Sequence, residues 1–267
     1  MSSLAELSAS RDLMANLTLR ELRSKYKRSV LGWTWSLVNP LATMAIFTVV
    51  FSIFLKVKPP AGNPSRLKGF AFFLLVGLLP WNFLSNGING TLRALIANAN
   101  LLKKVYFPRE ILVAANVVSW VVSFLIEMGV LAVVLLIAGN FVVPWLAPTL
   151  LIVVLQAFFV LGIGLGLSVL NVYFRDIEHL MGIVLQLWFY ATPIVYPETV
   201  LPKSHLVRTL YGLNPMVRFV RAYRNCLYDL RLPALGDIAF LVVVTAAALV
   251  AGLLLFRRFE PKLAEEL

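Results

Sequence analysis

Few residues in this chain could carry out acid, base or metal chemistry. One acidic residue, Glu127, lies inside a long apolar segment, and Asp176 with Glu178 forms an acidic pair at the start of another. Enzymes that act on lipid carriers usually need clustered acids for metal binding and proton transfer. The single cysteine, Cys226, has no cysteine or histidine near it in sequence. No catalytic centre, disulfide or zinc site is therefore predicted.

The sequence also lacks the usual nucleotide-binding motif. The sequence contains no G-x-x-x-x-G-K-[ST] phosphate-binding loop. Gly162, Gly164 and Gly166 form a glycine run, but the run lies in an apolar segment and lacks the Lys and Ser or Thr. Small residues in such a segment indicate close packing of membrane helices. We therefore expect a chain that is not an enzyme and binds no cofactor.

The elements that carry these residues are predicted to be membrane helices. Hydrophobic residues make up 60% of the 267 residues, charged residues make up 14%, and the mean hydropathy is +0.85. These values exclude an ordinary soluble domain. The net charge of +11 favours lipid headgroups, and not nucleic acid, as the anionic partner.

Uncharged runs define the predicted topology. A helix needs about 20 apolar residues to cross the hydrocarbon core. The 27 uncharged residues between Arg28 and Lys56 satisfy this, and breakers from Gly139 to Pro148 divide a longer run into a helical hairpin. We predict an all-α polytopic membrane protein, a single domain over residues 1–267. Its six spans are placed at about 31–55, 70–92, 111–138, 148–173, 179–197 and 237–256.

Charge outside the spans predicts the orientation. The excess of Lys and Arg on one side is small, but a dense basic cluster precedes the first span. By the positive-inside rule both termini are expected in the cytoplasm.

Glu127 carries an acidic group inside a predicted span, which is energetically costly. We expect it to face protein or water, either in helix packing or a dimer contact, or along the substrate path.

Two segments outside the spans have an amphipathic pattern. In the first, Thr18 and Glu21 have capping-box spacing, which predicts a short helix in the headgroup plane. The alternative is plain topogenic charge. In the second, residues 98–110, an apolar face beside lysines suggests docking to a soluble partner or lying on the membrane surface. Arg20, Arg23 and Lys27 are the predicted lipid contacts of the first segment.

The stretch between the fifth and sixth spans is too apolar for a free loop. Arg218, Arg221 and Arg224 follow one another at intervals of three and share one helical face. We expect them to contact phosphate, either of bilayer headgroups or of an exported lipid's diphosphate.

Four segments carry a resemblance to a known family. They are residues 19–51, LRELRSKYKRSVLGWTWSLVNPLATMAIFTVVF, residues 101–110, LLKKVYFPRE, residues 171–180, NVYFRDIEHL, and residues 192–197, TPIVYP. The chain resembles the permease subunit of type-2 ABC exporters, in the branch that exports O-antigen, capsule or teichoic-acid chains. The similarity in segment order extends over nearly the whole chain.

The resemblance implies an assembly in the bacterial plasma membrane. The permease is expected to be a homodimer served by two copies of a separate ABC ATPase, which bind ATP and magnesium. The implied substrate is a lipid-linked glycan, with polyprenyl diphosphate as the expected carrier. Short re-entrant helices are implied between spans five and six.

The resemblance also implies positions for functional residues. The coupling helix corresponds to residues 98–107, the interface helix to about 13–29 and a second cytoplasmic contact to 173–179. The implied contacts with the ATPase are Leu101, Leu102, Lys103, Lys104, Val105, Tyr106, Phe107, Arg175 and Asp176. The expected wall of an aromatic-lined channel is Trp33, Trp35, Phe47, Phe51, Trp188 and Tyr190. Ordinary packing between helices or against lipid is the alternative interpretation of these rings.

Other function classes stay open at this point. A small-molecule or drug efflux permease of the same family would have the same pattern. A membrane-embedded glycosyl or phosphosugar transferase would need more clustered acids. A proton- or sodium-coupled carrier would be expected to bury more than one ionisable group.

Overall fold

The computed structural model describes residues 4–25, 34–54, 61–104, 107–198 and 204–263. Within these ranges the secondary structure is helical and contains no strand. The helices are α1 (Leu4–Lys25), α2 (Trp35–Phe47), α3 (Phe70–Ala97), α4 (Ala99–Lys104), α5 (Glu110–Ile137), α6 (Leu146–Tyr173), α7 (Ile177–Tyr190), α8 (His205–Leu213), α9 (Pro215–Tyr223) and α10 (Leu235–Phe259). Two π-helical segments continue α2 and α9, namely Thr48–Phe54 and Arg224–Asp229.

Four of the described helices are long and apolar enough to cross a membrane. They are α3, α5, α6 with the preceding 3-10 turn, and α10. The shorter apolar stretch Leu41–Phe51 lies in α2 and its π-helical continuation. The prediction of an all-helical membrane protein is confirmed for the described residues, in which four helices are clear spans.

Helix α7 is shorter than the predicted fifth span. It has 14 residues, which corresponds to about 21 Å and falls short of the hydrocarbon core. The chain leaves the helix after Tyr190 and forms a series of turns and bends through Tyr196. The turn is stabilised by Thr192, whose Oγ1 donates to the carbonyl of Trp188 at 2.8 Å.

Helix ends follow the residues that break or cap helices. Gly139 has a φ of +84° and separates α5 from the 3-10 turn Val143–Trp145, which contains a proline in its first turn. Asn214 caps α9 by accepting a hydrogen bond from the backbone N–H of Met216 at 3.0 Å, and Pro215 occupies the first helical position.

The core is built around α3, α5, α6 and α10. Helices α6 and α10 form the most extensive pair, and α9 packs against α3, α6 and α10 at one end of the bundle. Gly162 and Gly252 allow the backbones of α6 and α10 to approach, because a Cβ on Gly162 would lie 2.5 Å from the carbonyl carbon of Ala248. This close approach agrees with the packing role predicted for the glycine run.

Helix α1 lies along the first half of α5. Leu17 and Leu22 of α1 are buried, and Thr18 donates to the carbonyl of Ala115 at 3.5 Å. The capping-box interpretation of Thr18 and Glu21 is wrong, because the helix already runs from Leu4. The end of the bundle that carries α1, α4 and the last turn of α10 is called the α4 end below, and the other is called the opposite end.

Candidate functional site

The α4 end carries the residues predicted to couple the chain to an ATPase. In α4, Leu102 belongs to a buried cluster that also contains Leu17 and Phe256, whereas Lys103 and Lys104 are exposed. Leu101 and Phe107 are half-buried beside the same cluster. Val105 and Tyr106 lie outside the described residues. Helix α4 is therefore anchored on its apolar side and presents its lysines to the surroundings.

Two hydrogen bonds connect the residues flanking α4 to other elements. Arg20 of α1 donates to Oδ1 of Asn98, whose Nδ2 in turn donates to the carbonyl of Ala94 at 2.8 Å. After α4, Arg109 donates to the carbonyl of Glu260 at 2.5 Å. The residues on either side of α4 are thus bonded to α1 and to the end of α10.

A groove of about 450 Å³ lies beside α4. It is lined by residues 107–110 together with Glu260 and Pro261. Burial and the neighbouring charge of Glu110 raise the pKa of Glu260 above its ordinary value. The groove therefore offers carboxylates and an arginine to whatever contacts this end.

The second predicted contact, between α6 and α7, is exposed. Arg175 and Asp176 are both exposed, and Asp176 stands at the N-cap position of α7 without forming a side-chain cap. Glu178, in the first turn of α7, accepts hydrogen bonds from Nε of Arg93 at 2.9 Å and from its Nη2. This ion pair joins the last turns of α3, just before α4, to the start of α7.

Lys25 of α1 is bound against α5, in the part of that helix that also carries Glu127. The Lys25 ammonium donates to the carbonyl of Ser119 and to Oγ of Ser123, both at 3.2 Å, and lies 3.4 Å from the centre of the Trp120 ring. Burial lowers the pKa of Lys25 to about 7, and the charges of Glu21 and Glu127 oppose that shift. Glu127 is half-buried in α5, and Lys25 is thus a nearby countercharge for it.

A groove of about 300 Å³ runs between α3 and α7. Its polar lining comes from Ser85, Asn89 and Gln186. Its remaining lining residues are Trp81, Gly182, Leu185, Phe189 and Tyr190. The groove combines amide and hydroxyl groups with aromatic rings at one site.

The aromatic residues predicted to line a channel occupy different environments. Phe47 and Phe51 stack with ring centres 5.6 Å apart, and Phe51 stacks on Phe70 of α3 at 4.4 Å. Trp188 is half-buried and donates to Oδ1 of Asn214 at 2.8 Å. Trp35 and Tyr190 are exposed, at 41% and 66% of their surface. Trp33 lies outside the described residues.

The basic residues predicted to contact lipid divide into two groups. On α1, Arg20 and Arg23 are exposed, and Lys27 lies outside the described residues. At the opposite end, Arg218 pairs with Asp237 at 3.1 Å, and Arg221 pairs with Glu198 at 2.8 Å and Asp237 at 3.3 Å. These two arginines are only partly exposed, and protein carboxylates already neutralise much of their charge.

Arg224 is buried and bonded to the protein. Its Nη1 donates to the carbonyl of Pro193 at 2.6 Å, and its Nη2 donates to that of Ile194 at 2.8 Å. The guanidinium also lies 3.6 Å from the centre of the Phe73 ring. Arg224 therefore holds the bend after α7 against α3.

The π-helical segment that begins at Arg224 joins several loops at the opposite end. Asn140, between α5 and α6, donates to the carbonyl of Leu227 at 2.8 Å. Ser65, before α3, donates to the carbonyl of Tyr228 at 2.5 Å. Together with the Arg224 contacts, these bonds connect the opposite end of the bundle through one segment, 224–229.

Several residues of these sites were not identified from the sequence. Lys25, Arg93, Asn89 and Gln186 were not singled out, although Asn89 and Arg93 continue a four-residue repeat on α3 that begins at Trp81. That repeat was the sequence signal from which the α3 side of the groove could have been identified. No group of three or more His, Cys, Asp or Glu that could hold a metal occurs in the part of the chain that the structure describes.

Comparison with known proteins places this arrangement in a family. The model of the ABC-2 type transporter family matches residues 13–228. The O-antigen export system permease protein RfbA of Myxococcus xanthus is 30% identical over 262 residues, which cover 98% of each chain. A protein of the same name from Klebsiella pneumoniae is 30% identical over 95% of this chain and 94% of its own. The polysialic acid transport protein KpsM of Escherichia coli is 24% identical over 91% and 92% of the two chains. The chain is thus an integral membrane protein that belongs to the ABC-2 type transporter family.

Proposed function

We propose that this chain is the permease subunit of an ATP-driven exporter that moves a lipid-linked polysaccharide across the bacterial plasma membrane. The observation that carries the proposal is its 30% identity to an O-antigen export permease over 98% of both chains. The similarity to a polysialic acid transport protein supports the same substrate class. A homodimer of the chain, six spans per copy and a polyprenyl diphosphate carrier belong to the proposal.

The assembly includes two copies of a separate ABC ATPase, which would bind ATP and magnesium, whereas this chain binds no cofactor. The α4 end and both termini would face the cytoplasm. Helix α1 would lie at the inner headgroup layer, where Arg20, Arg23 and Lys27 would contact lipid phosphates. Exposed Lys103, Lys104, Arg175 and Asp176 support docking of the ATPase at this end.

The glycan path would run along α2, α3 and α7. The exposed ring of Tyr190 supports a wall on which the apolar face of a sugar can lie. Phe47, Phe51 and Trp188 would form deeper parts of this wall, with Trp33 and Trp35 near the cytoplasmic entrance. On the other side of the membrane, Arg218 and Arg221 would contact phosphate. Because their guanidinium groups already bind carboxylates, only the N–H groups that those carboxylates leave free would be available.

Deleting the gene in the bacterium that encodes it tests the proposal. We expect loss of the surface glycan, accumulation of its lipid-linked precursor inside the cell, and rescue by the wild-type gene. The measurement is immunoblotting of surface and internal glycan in separated fractions. An unchanged surface glycan combined with new sensitivity to small toxic compounds would establish efflux and reject polysaccharide export.

Truncating the proposed aromatic anchor of the coupling helix tests the role of the α4 end. Tyr106→Ala should weaken ATPase binding by about 2 kcal/mol, because buried aromatic anchors dominate such interfaces. We expect co-purification of the ATPase and export to fall together. Phe141→Ala is the matched control, since this ring is 62% exposed beyond the other end of α5. Wild-type co-purification and export in Tyr106→Ala would exclude the assignment.

A further inference from the structure

The groove between α3 and α7 is formed by two facing rows of side chains. Along α3 the row steps by four residues through Trp81, Ser85, Asn89 and Arg93, and along α7 it steps from Glu178 to Gln186. Residues four apart lie on one face of a helix. The Arg93–Glu178 ion pair stands at the α4 end of this groove, and the aromatic rings stand at its other end. The groove is therefore charged at one end, polar in its middle and aromatic at the other.

The polar middle of the groove has no internal partners. In the part of the chain that the structure describes, the side chains of Ser85, Asn89 and Gln186 form no hydrogen bond. Ser85 and Asn89 are half-buried and Gln186 is exposed, so these polar groups lie at the surface of the groove. Their donors and acceptors are therefore available to a ligand that enters it.

We propose that this groove is a binding site for the hydroxyl groups of a glycan, with the amides of Asn89 and Gln186 as its hydrogen-bonding groups. An amide side chain offers both a donor and an acceptor, which matches the hydroxyls of a sugar. Tyr190 provides the adjacent ring surface on which a sugar face can lie. The inference rests on the proposed export of a polysaccharide and names the part of the chain that recognises it.

The Arg93–Glu178 ion pair stands beyond the α4 end of this site and is not part of its lining. Its side chains are 68% and 35% exposed, and ion pairs with this exposure are weak.

The double variant Asn89→Ala/Gln186→Ala tests the binding site. The probe is an oligosaccharide released from the surface glycan of the same bacterium, and binding to the purified permease–ATPase complex is measured by quenching of tryptophan fluorescence. Loss of two hydrogen bonds of ordinary strength corresponds to about a thirtyfold loss of affinity. Asn86→Ala is the matched control, because Asn86 is an exposed asparagine of α3 outside the groove.

The readouts separate binding from folding and assembly. Removing unpaired amides leaves no buried partner unsatisfied, so thermal unfolding of the double variant should stay at the wild-type temperature. Wild-type affinity and export in the double variant would overturn the inference. If the double variant loses the second permease copy from the complex and Asn86→Ala does not, the two amides form a subunit contact. That result would also overturn the inference. An unchanged surface glycan after gene deletion would reject the proposed function itself.

Discussion

Replacing Gly252 with alanine is expected to prevent stable folding of the permease. A Cβ at this position would overlap the carbonyl oxygen of Gly162 on the neighbouring helix. Backbone atoms cannot rotate away as a side chain can, so the cost should reach or exceed about 3 kcal/mol, the upper part of the usual range for overpacking. The measurement is the amount of monodisperse protein extracted from membranes and its temperature of unfolding.

Gly129→Ala is the matched control for this substitution. Gly129 lies in α5, another long apolar helix, and a Cβ there would meet nothing within 4 Å. Alanine is favoured over glycine in a helix by about 1 kcal/mol, so this variant should be as stable as the wild type or slightly more stable. Equal yields of Gly252→Ala and Gly129→Ala would contradict the close packing of α6 on α10.

Replacing Arg224 with leucine is expected to destabilise the opposite end of the bundle. The substitution leaves the carbonyls of Pro193 and Ile194 without their donor and removes the cation over the Phe73 ring. A loss of about 3 kcal/mol follows, because hydrogen bonds to a charged group and unpaired buried carbonyls both contribute. Thermal unfolding of the purified protein measures the change.

Arg224→Lys and Arg231→Leu sharpen the interpretation. Lysine keeps the charge but lacks the planar fork that reaches two carbonyls, so its effect should be intermediate. Arg231 is an exposed arginine that pairs with Asp229 at 3.1 Å and donates to Oδ1 of Asn225 at 3.0 Å. Its single protein hydrogen bond and exposed ion pair predict a smaller loss of stability than that of Arg224→Leu. Equal stability of Arg224→Leu and the wild type would show that the guanidinium does not hold this end.

The sequence predicted those helices that are predominantly apolar over the length needed to cross a membrane. Four of the six predicted spans coincide with long apolar helices, because about 20 apolar residues suffice to define each of them. Residues 179–197 have the same composition, yet the helix ends at Tyr190. Hydropathy cannot distinguish the residues of a turn buried by its neighbours from those of a helix.

The surroundings of single charges were less predictable. The spacing of Arg218, Arg221 and Arg224 indicated a helix, and they lie in α9 and its π-helical continuation. The partners of Arg224, however, lie 31 residues away at Pro193 and 151 residues away at Phe73. Lys25 reaches Ser123, 98 residues away. Such pairings depend on how helices pack, and neither composition nor periodicity contains that information.

The connections at the opposite end have an evolutionary consequence. The donors are side chains, Arg224, Asn140 and Ser65, whereas most of the acceptors are backbone carbonyls of residues 193, 194, 227 and 228. Every amino acid supplies a backbone carbonyl, so side chains at the acceptor positions are free to diverge among homologues that export different substrates. The three donors are the positions at which natural selection should tolerate little change.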